Sequence, residues 1–389
     1  MRADLPATVA AAIERQLARQ RPALIFDKAR LAANMQAIAD AARAHEIRVL
    51  FAAKSFPHPA VWDLAAARFD GFDIASIGEL ATVPAARILS MADPTGGTGR
   101  IGHARFNMSE ADERLVQHNA LSRMSDAAHR LIVACETPGQ VAAAPAHADI
   151  AIRVSASITW TDPAVGALLD GTGHRRSRFG VDRDAIDVMH AMNRAAGDRR
   201  IGLHLHHGPV TATSGERFVA TARAAIELAN EAGIAPVFID LGGAWHGISD
   251  IAAAFAHVRT GIDAIATHAI EILVEPGRAI VREAGFACGR VVVARETAGR
   301  SLRVVDVSRL CHLRWSPVEL VGNAPHAGTG VNTVVLGPTC SEEDLVGEWT
   351  VPPGMLDEGA PMVLRGVTGY SVAWNTSFGG VSPADIFIV

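Results

Sequence analysis

The 389-residue chain contains almost no lysine. Only Lys28 and Lys54 are present, so arginine supplies 34 of the 36 basic residues. Arginine stays protonated in proteins, whereas a desolvated lysine can lose its proton and form a Schiff base. Lys54 follows an apolar run and precedes a Phe-Pro-His-Pro turn, although a lysine ammonium is rarely buried without a partner. Lys54 is therefore a candidate nucleophile; the alternative is a lysine that extends from a strand end into solvent.

Other scarcities exclude several classes of protein. The four cysteines have no paired spacing, which argues against a disulfide framework and favours a reducing cytosol. No apolar run reaches about 18 residues, the length of a membrane-spanning helix, and Glu14, Arg15 and Arg19 interrupt the N-terminal helix where a signal peptide would be apolar. The net charge of −5 offers no basic surface for nucleic acid or membranes. The sequence predicts a cytoplasmic protein.

Apolar segments of strand length alternate with Ala-rich helical segments over the first 280 residues. This alternation is typical of parallel βα units, and eight strands in succession favour a (β/α)8 TIM barrel over a doubly wound sheet. The predicted strands are 49–54, 71–76, 86–91, 130–135, 149–155, 201–208, 236–243 and 271–275. After residue 281 the segments are short and β-rich, which indicates a second, all-β domain. The predicted domains are a barrel of residues 28–280 and a β-barrel or β-sandwich of residues 281–389 that includes part of 1–27.

Polar residues follow the predicted barrel strands at their C-terminal ends. In a TIM barrel the active groups lie at these ends. The residues found there are Lys54, Asp73, Arg153, His206, the Gly242-Gly243 pair and Glu275. Six such positions are hard to obtain by chance, so we expect them to form one site.

Some of these segments suggest particular ligands. Gly242-Gly243-Ala244 can offer backbone N–H groups to a phosphate. Glu275-Pro276-Gly277-Arg278 combines an acid, a turn and a guanidinium that also suits a phosphate; the alternative is a helix start with a surface ion pair. His204 and His206 share one face of a strand. Because no third ligand is evident, we predict that they bind no metal. We expect His206, at the strand end, to stack on the ring of a cofactor, and His204 to be a hydrogen-bonded histidine of the core.

The segment Gly337-Pro338-Thr339-Cys340-Ser341-Glu342-Glu343-Asp344 places a thiol after a turn of the β domain. A free cysteine is most often a small buried apolar residue. The other interpretation makes Cys340 a proton donor or a substrate contact. The segment alone does not decide between them.

Together these motifs resemble the fold-type III pyridoxal-phosphate decarboxylases, the ornithine/diaminopimelate decarboxylase group, over essentially the whole chain. FAAKSFPHPAV resembles the family's Y-A-V-K-A-N-x-x-P, GFDIASIGEL its G-F-D-V-A-S-x-G-E-L, FIDLGGAW its L-D-I-G-G-G-F, VEPGR its E-P-G-R, and GPTCSEEDLVG its G-P-x-C-(D/E)-x-x-D. Arg153 with the Arg178-Phe179-Gly180 turn resembles the R-(I/V)…K-F-G pairing. The resemblance implies an alanine-racemase-like barrel, pyridoxal 5′-phosphate as cofactor, a small amino-acid substrate and a homodimer with shared active sites.

The resemblance also implies a role for each matching residue. Lys54 is the Schiff-base lysine, His206 stacks on the cofactor ring, and Glu275 pairs with the pyridine nitrogen. Decarboxylation through an external aldimine and a quinonoid would end with a proton from Cys340 of a partner subunit. The implied catalytic residues are Lys54, Cys340 and His206. The implied cofactor-binding residues are Lys54, Asp73, Arg153, His206, Gly242, Gly243, Ala244, Glu275, Gly277, Arg278, Thr368 and Tyr370. The implied substrate-binding residues are Arg314, Ser341 and Asp344.

The chain departs from the family around the expected phosphate site. Pro209 replaces a phosphate-binding serine, and Ala244 replaces the third glycine. Thr368 stands where the family's Gly-Ala-Tyr has its tyrosine, and the only tyrosine of the chain, Tyr370, lies two positions later. These changes bear on the strength of cofactor binding.

A further departure concerns the substrate. Ser341 stands where the family has an acidic residue that binds the distal amine of ornithine or the distal group of diaminopimelate. A small hydroxylated residue there resembles the branch that acts on citrate-conjugated diamino acids in siderophore pathways. Arg309 and Arg314 could then meet acidic parts of the substrate.

The sequence therefore predicts a pyridoxal-phosphate-dependent decarboxylase of a basic or conjugated amino acid. A racemase of the same fold is one alternative, but its K-A-N-A-Y-G-H-G type of lysine segment is missing and no tyrosine stands where its second base is needed. A non-catalytic, decarboxylase-like regulator is the other alternative. The altered phosphate site supports it, and the retained Lys54, His206, Glu275, Arg278 and Cys340 oppose it.

Overall fold

The computed structural model describes residues 5–80, 82–93, 128–159, 168–169, 175–206, 215–297, 299–322 and 330–389. The chain divides into two compact units. One consists of Met35–Lys54 and Trp62–Ala279, and the other consists of Met1–Asn34, Ser55–Val61 and Ile280–Val389. No helix in the described ranges is both long enough and apolar enough to cross a bilayer.

The first unit is built around a closed barrel of eight parallel strands. Its strands follow one another around the barrel in chain order, and the last closes on the first where Ile272 lies opposite Ile47. Each of the eight overlaps a predicted strand, so the predicted (β/α)8 barrel is confirmed. The bounds are Ile47–Ala52, Gly71–Ile74, Ala86–Met91, Ala128–Cys135, Asp149–Arg153, Ile201–His204, Phe238–Asp240 and Glu271–Val274.

Helices connect these strands because the intervening segments carry helix-start signals and one apolar face. Thr137 begins a helix with a capping box, in which its side chain accepts from Gln140 N and the Gln140 side chain accepts from Thr137 N. Asp250 caps another helix by accepting from Ala253 N at 2.9 Å. The described helices between barrel strands are Pro59–Ala66, Ile77–Leu80, Pro138–Ala143, Ile186–Ala196, Glu216–Glu231 and Ile251–Asp263, and helix Lys28–Ala44 precedes the first strand.

Charged residues at the N-terminal ends of the barrel strands form an ion-pair network. Arg130 contacts both Asp149 and Glu271 at 2.7 Å, and Arg200 reaches Asp149 at 2.9 Å. These pairs link strands that are distant in the sequence, and several of their side chains are largely shielded from water. A cleft of about 770 Å³ at this end contains none of the predicted site residues. We therefore assign the network to stability, as is usual for this face of a TIM barrel.

The second unit is an eight-stranded mixed sheet, which confirms the predicted all-β part of the fold. Strand Gly285–Thr297 lies at its centre and pairs antiparallel with three other strands. Val9 and Ile13 of the N-terminal helix Ala7–Ala18 pack on this sheet. The other strands are Ala23–Phe26, Arg300–Val305, Glu319–Leu320, Val331–Leu336, Leu345–Val351, Pro361–Arg365 and Asp385–Ile388, and the short helix Tyr370–Ala373 follows the strand that ends at Arg365.

Candidate active site

Lys54 and Asp73 form an ion pair at the C-terminal end of the barrel. Lys54 lies in the 3-10 helix Ala53–Ser55, directly after strand Ile47–Ala52. The neighbouring strand carries Asp73, and the register places Ala52 opposite Asp73. Lys54 Nζ consequently reaches Asp73 Oδ2 at 2.6 Å. Asp73 is fully buried, whereas the Lys54 side chain is 33% exposed. The amine is therefore held by a buried carboxylate while it remains accessible from solvent.

The pKa of Asp73 is raised to about 6. Burial is the main cause, and the negative charge of Glu275 adds to it. The Lys54 cation acts in the opposite direction but does not outweigh them. Asp73 therefore carries its negative charge fully only above that pH.

Glu275 and His204 form a second buried pair. His204 Nε2 lies 3.3 Å from Glu275 Oε1, and both side chains are 2% exposed. Burial, followed by the positive charge of Arg153, lowers the pKa of His204 to about 3. The imidazole is therefore neutral near pH 7 and can donate its Nε2–H to Glu275. His204 is a core histidine, as predicted, but its contact with Glu275 was not foreseen from the sequence.

Asp240 completes this buried cluster. Its Oδ1 accepts from Gly242 N at 2.9 Å, whereas its Oδ2 has no hydrogen-bond partner among the described residues. One ligand atom each from Asp240, His204 and Glu275 lie within 4.8 Å of one another. Burial and the charge of Glu275 raise the pKa of Asp240 well above its ordinary value.

Asp240 was not among the predicted site residues, although its position in the sequence carries one signal. It is an acid at the end of an otherwise apolar strand, Phe238–Asp240. The types of ligand atom in the cluster would suit a metal ion as well as an organic cofactor. Glu275 belongs to the EPGR motif and its charge acts on Asp73, so the cluster lies beside the Lys54–Asp73 pair.

The Gly242-Gly243-Ala244 loop is fixed in an unusual conformation. Gly242 has φ +64° and Ala244 has φ +73°. A Cβ at Gly242 would lie 2.3 Å from the carbonyl oxygen of Leu205, so only glycine fits there. The Gly242 carbonyl accepts from Trp245 Nε1 and from Glu275 N, both at 2.8 Å. These bonds tie the loop to the strand end that carries Glu275.

Arg153 packs on the turn with which the sequence paired it. Its guanidinium lies 4.3 Å from the ring centre of Phe179, and that of Arg178 lies 4.1 Å from the same ring. Gly180 has φ +82°, and a Cβ there would lie 2.6 Å from Ser155 N. Arg153 is buried and also contacts Glu136 at 3.5 Å. The turn and the strand end therefore form one packed unit.

The remaining predicted barrel residues also follow strand ends. His206 lies two residues after Ile201–His204 and is exposed, and its Nε2 lies 3.5 Å from the position of a Cβ at Gly243. Gly277 and Arg278 follow Glu275, and Arg278 begins a 3-10 helix. Pro209 lies outside the described residues.

The other predicted residues belong to the second unit. Cys340 is exposed, whereas the other three cysteines are buried. Arg314 lies 4.7 Å from the ring centre of Trp374. The Thr368 hydroxyl lies 3.2 Å from Ser316 Oγ. Within this unit the structure also describes Ser341, which is half-buried, Asp344, which is buried, and Tyr370, whose ring packs edge-on against Trp315.

Comparisons with known proteins show which family the chain belongs to. A family model described as pyridoxal-dependent decarboxylase, pyridoxal binding domain, matches residues 28–282. The diaminopimelate decarboxylase of Deinococcus radiodurans is 26% identical over 311 residues, which cover 77% of this chain and 73% of the relative.

Solved structures share the fold. The arginine decarboxylase of Paramecium bursaria Chlorella virus superposes with a TM-score of 0.72 at 16% identity, over 99% of this chain and all of the other. The lysine/ornithine decarboxylase of Vibrio vulnificus, solved with cadaverine, gives a TM-score of 0.72 at 19% identity, over 99% of both chains. The family match covers the barrel that carries Lys54, Asp73 and Glu275. The chain therefore belongs to the pyridoxal-dependent decarboxylases, enzymes that remove a carboxyl group from amino acids with pyridoxal 5′-phosphate.

Proposed function

We propose that the chain removes the α-carboxyl group of a diamino acid, or of a diamino acid conjugated at its distal amine, with pyridoxal 5′-phosphate attached to Lys54. The observation that carries this proposal is the ion pair between Lys54 and buried Asp73, near the buried Glu275–His204 pair. Relatives named for diaminopimelate, arginine and lysine/ornithine support a substrate with a distal nitrogen.

The residues at the barrel end fit this cofactor. Its aldehyde needs a primary amine, its ring nitrogen needs an acid, and its phosphate needs N–H donors or cations. Lys54 is the amine, and Glu275 is the buried acid. Gly242 and Gly243 have no side chains that would cover their backbone N–H groups, so a phosphate could approach them, and Arg278 adds a cation.

When bound, the cofactor supplies an electron sink for the electron pair that is left when carbon dioxide departs. Asp73 orients Lys54 Nζ, which would hold the cofactor until the substrate amine displaces it. Burial and Arg153 keep His204 neutral. Neutral His204 can therefore orient Glu275 by donating its Nε2–H, and Glu275 would hold a proton at the ring nitrogen.

Further residues would complete the site. We assign phosphate binding to Gly242, Gly243, Ala244, Gly277 and Arg278, with Thr368 and Tyr370 as additional candidates. His206 would cover the cofactor ring, and Arg153 would support the barrel side of the site.

Cys340 is the proposed donor of the proton that replaces the lost carboxyl group at the α-carbon. Its thiol is exposed, so a substrate can reach it. We further propose that two copies of the chain form a homodimer in which each contributes Cys340 to the other's site.

Arg314 supports a substrate with an acidic distal group. Its guanidinium is exposed, lies over Trp374, and has no carboxylate partner among the described residues. Trp374 and Trp315 are 38% and 47% exposed, so the cation and its aromatic support both face solvent. Ser341 cannot pair with an ammonium as an acid would. These features favour a citrate-conjugated diamino acid, in which the distal amine is neutralised and carboxylates are added.

The test of the cofactor assignment uses the scarcity of lysine. Borohydride reduction of the holoenzyme followed by peptide mass analysis should label Lys54 alone. Lys54→Ala should lose the label and the visible absorption, whereas the matched Lys28→Ala variant should keep both. A wild-type protein that stays colourless with added cofactor would overturn the proposal and favour a regulatory role.

The substrate assignment needs a separate test. Carbon dioxide release would be compared for ornithine, lysine, diaminopimelate and citrate-conjugated diamino acids. Arg314→Ala should raise the KM of the carboxylate-bearing substrate by about tenfold, since a charged hydrogen bond is worth about 1.5–3 kcal/mol, and Arg314→Lys should lose less. Release from ornithine alone would overturn the acidic-substrate proposal. Exchange of the α-proton without carbon dioxide release would instead indicate a racemase.

A further inference from the structure

Asp344 lies in an environment that a substrate-binding carboxylate would not need. Its side chain is buried, and the two carboxylate oxygens accept hydrogen bonds from several groups of the same unit. Ser308 Oγ donates at 3.0 Å, Arg309 N at 2.6 Å and Thr339 N at 3.1 Å. Leu310 N adds a longer contact of 3.3 Å. Hydrogen bonds to a carboxylate are among the strong ones, so these contacts fix the side chain.

Main-chain hydrogen bonds of Asp344 also hold together the loop from Gly337 to Asp344. Gly337 N donates to Asp344 O at 2.7 Å, and Asp344 N donates to Ser341 O at 3.1 Å. Cys340 lies inside the loop that the first contact closes, and Ser341 is the acceptor of the second. Thr339 N, which precedes Cys340, is bound by the Asp344 side chain. Main-chain and side-chain bonds from Asp344 therefore determine the path of the segment that carries the exposed thiol.

Gly337 provides independent support for this arrangement. A Cβ at Gly337 would lie 2.3 Å from three atoms of the Asp344 carboxyl group. The carboxylate thus occupies the space that any other residue at 337 would need. This close approach leaves no room for a ligand between Asp344 and the start of the loop.

Asp344 also accepts hydrogen bonds from the segment that precedes Arg314 in the chain. Ser308 Oγ, which donates to Asp344, also accepts from Leu310 N and Cys311 N, so it holds the next turn. Arg309 donates from its side chain to the carbonyl of Ser316, two residues beyond Arg314. One carboxylate therefore links the turn that leads to Arg314 with the turn that carries Cys340.

We propose that Asp344 is a positioning residue that fixes the Cys340-Ser341 segment to the Ser308–Ser316 segment, and that it does not contact substrate. This inference replaces the substrate role predicted for Asp344 from the sequence. The linkage stands on hydrogen bonds alone, whereas its consequence for catalysis rests on the proposed function of Cys340.

The exposure of Cys340 allows the linkage to be measured directly. In holoenzyme the alkylation rate of Cys340 by iodoacetamide would be followed by mass analysis, because the other three cysteines are buried. Asp344→Asn removes acceptor capacity and should release the segment, so we expect alkylation to be at least about threefold faster. Ser308→Ala keeps the Asp344 carboxylate but removes the hydroxyl that donates to it and accepts from Leu310 N and Cys311 N, and it should act in the same direction. It serves as the decisive variant if Asp344→Asn does not fold.

Glu343→Gln is the matched control. It removes a carboxylate from the same loop, but the Glu343 side chain is exposed and only its main-chain N, which Gln retains, donates within the loop, to Ser341 Oγ at 3.3 Å. Its alkylation rate should equal that of the wild type. An equal increase in Glu343→Gln would mean that only the local charge matters and would overturn the inference.

Steady-state kinetics separate the two roles of Asp344. A positioning role predicts that Asp344→Asn lowers kcat and accelerates alkylation together. A raised KM with unchanged kcat and an unchanged alkylation rate would restore the substrate role and overturn the inference. If no amino acid is decarboxylated by the wild type, the proposed function fails, but the alkylation comparison still decides whether Asp344 holds the segment.

Discussion

Lys54 Nζ lies 2.6 Å from Asp73 Oδ2, and this carboxylate is completely buried. Asp73 lies on one strand and Lys54 just after the end of its neighbour, so the barrel positions the amine. The carboxylate nevertheless has its pKa raised to about 6, because burial and Glu275 together outweigh the attraction of the ammonium. The ion pair therefore weakens in mildly acidic solution.

This relationship predicts how Asp73 affects stability as the pH changes. A carboxyl group whose pKa in the folded protein is above its ordinary 3.8 stabilises the fold most below pH 3.8, and that contribution is lost as the pH rises through about 6. Asparagine at this position does not titrate. We expect the unfolding free energy of the cofactor-free wild type, relative to Asp73→Asn, to fall over this range in urea titrations. A constant or rising difference would contradict the prediction.

The hydrogen bond from His204 to Glu275 predicts unequal effects of two substitutions. His204→Phe keeps an aromatic ring but leaves a buried carboxylate oxygen without its donor, which should lower the unfolding free energy by about 1–3 kcal/mol. His204→Gln retains an N–H donor and should lose less. Denaturant unfolding measures the stability, and fluorescence titration with cofactor should show weaker binding in the Phe variant. Equal losses in both variants would mean that ring packing matters more than the donor.

Asp240 is expected to tolerate an amide better than a truncation. Burial and Glu275 raise its pKa, so Asp240 keeps its proton to a higher pH than an ordinary aspartate, and asparagine has nearly the same shape as the protonated acid. Asp240→Asn should change stability by less than about 0.5 kcal/mol, the range of a benign substitution. Asp240→Ala leaves Gly242 N without its acceptor and should cost about 1–3 kcal/mol. If asparagine destabilises as much as alanine in urea unfolding, a charged Asp240 is required.

The backbone conformation of Ala244 predicts that one substitution, Ala244→Gly, increases the stability of the fold. Its φ of +73° is unfavourable for an L-residue, at a cost of about 1–2 kcal/mol. Ala244→Gly removes this strain but adds about 0.4–1 kcal/mol of unfolded-chain entropy. We expect a net rise in unfolding free energy and in the midpoint of thermal unfolding, with cofactor affinity unchanged or higher.

The matched control for Ala244 is an alanine with ordinary helical geometry. Ala220 is exposed within helix Glu216–Glu231. Ala220→Gly should lower the unfolding free energy by about 1 kcal/mol, as expected for a helix interior. If both variants lose the same amount, the conformation of Ala244 carries no strain.

The sequence by itself determined the barrel and most of its polar end. Apolar runs of strand length show where parallel strands lie because both faces of such strands are buried. Lys54 was found because lysine is so rare in this chain and stands at the end of such a run. Strand ends were less well defined, as the predicted segment 236–243 contains only Phe238–Asp240 as strand.

Only the tertiary structure decided which side chains meet. His204, Asp240 and Glu275 come from three strands, and the register of those strands brings their ligand atoms within 4.8 Å. Likewise, the sequence predicted Asp344 as a substrate residue without indicating the hydrogen bonds that its carboxylate accepts from Ser308 and Arg309, more than thirty residues earlier. Burial and hydrogen bonding of a side chain depend on groups that are distant along the chain. A local pattern can therefore locate a functional segment without assigning a role to each of its residues.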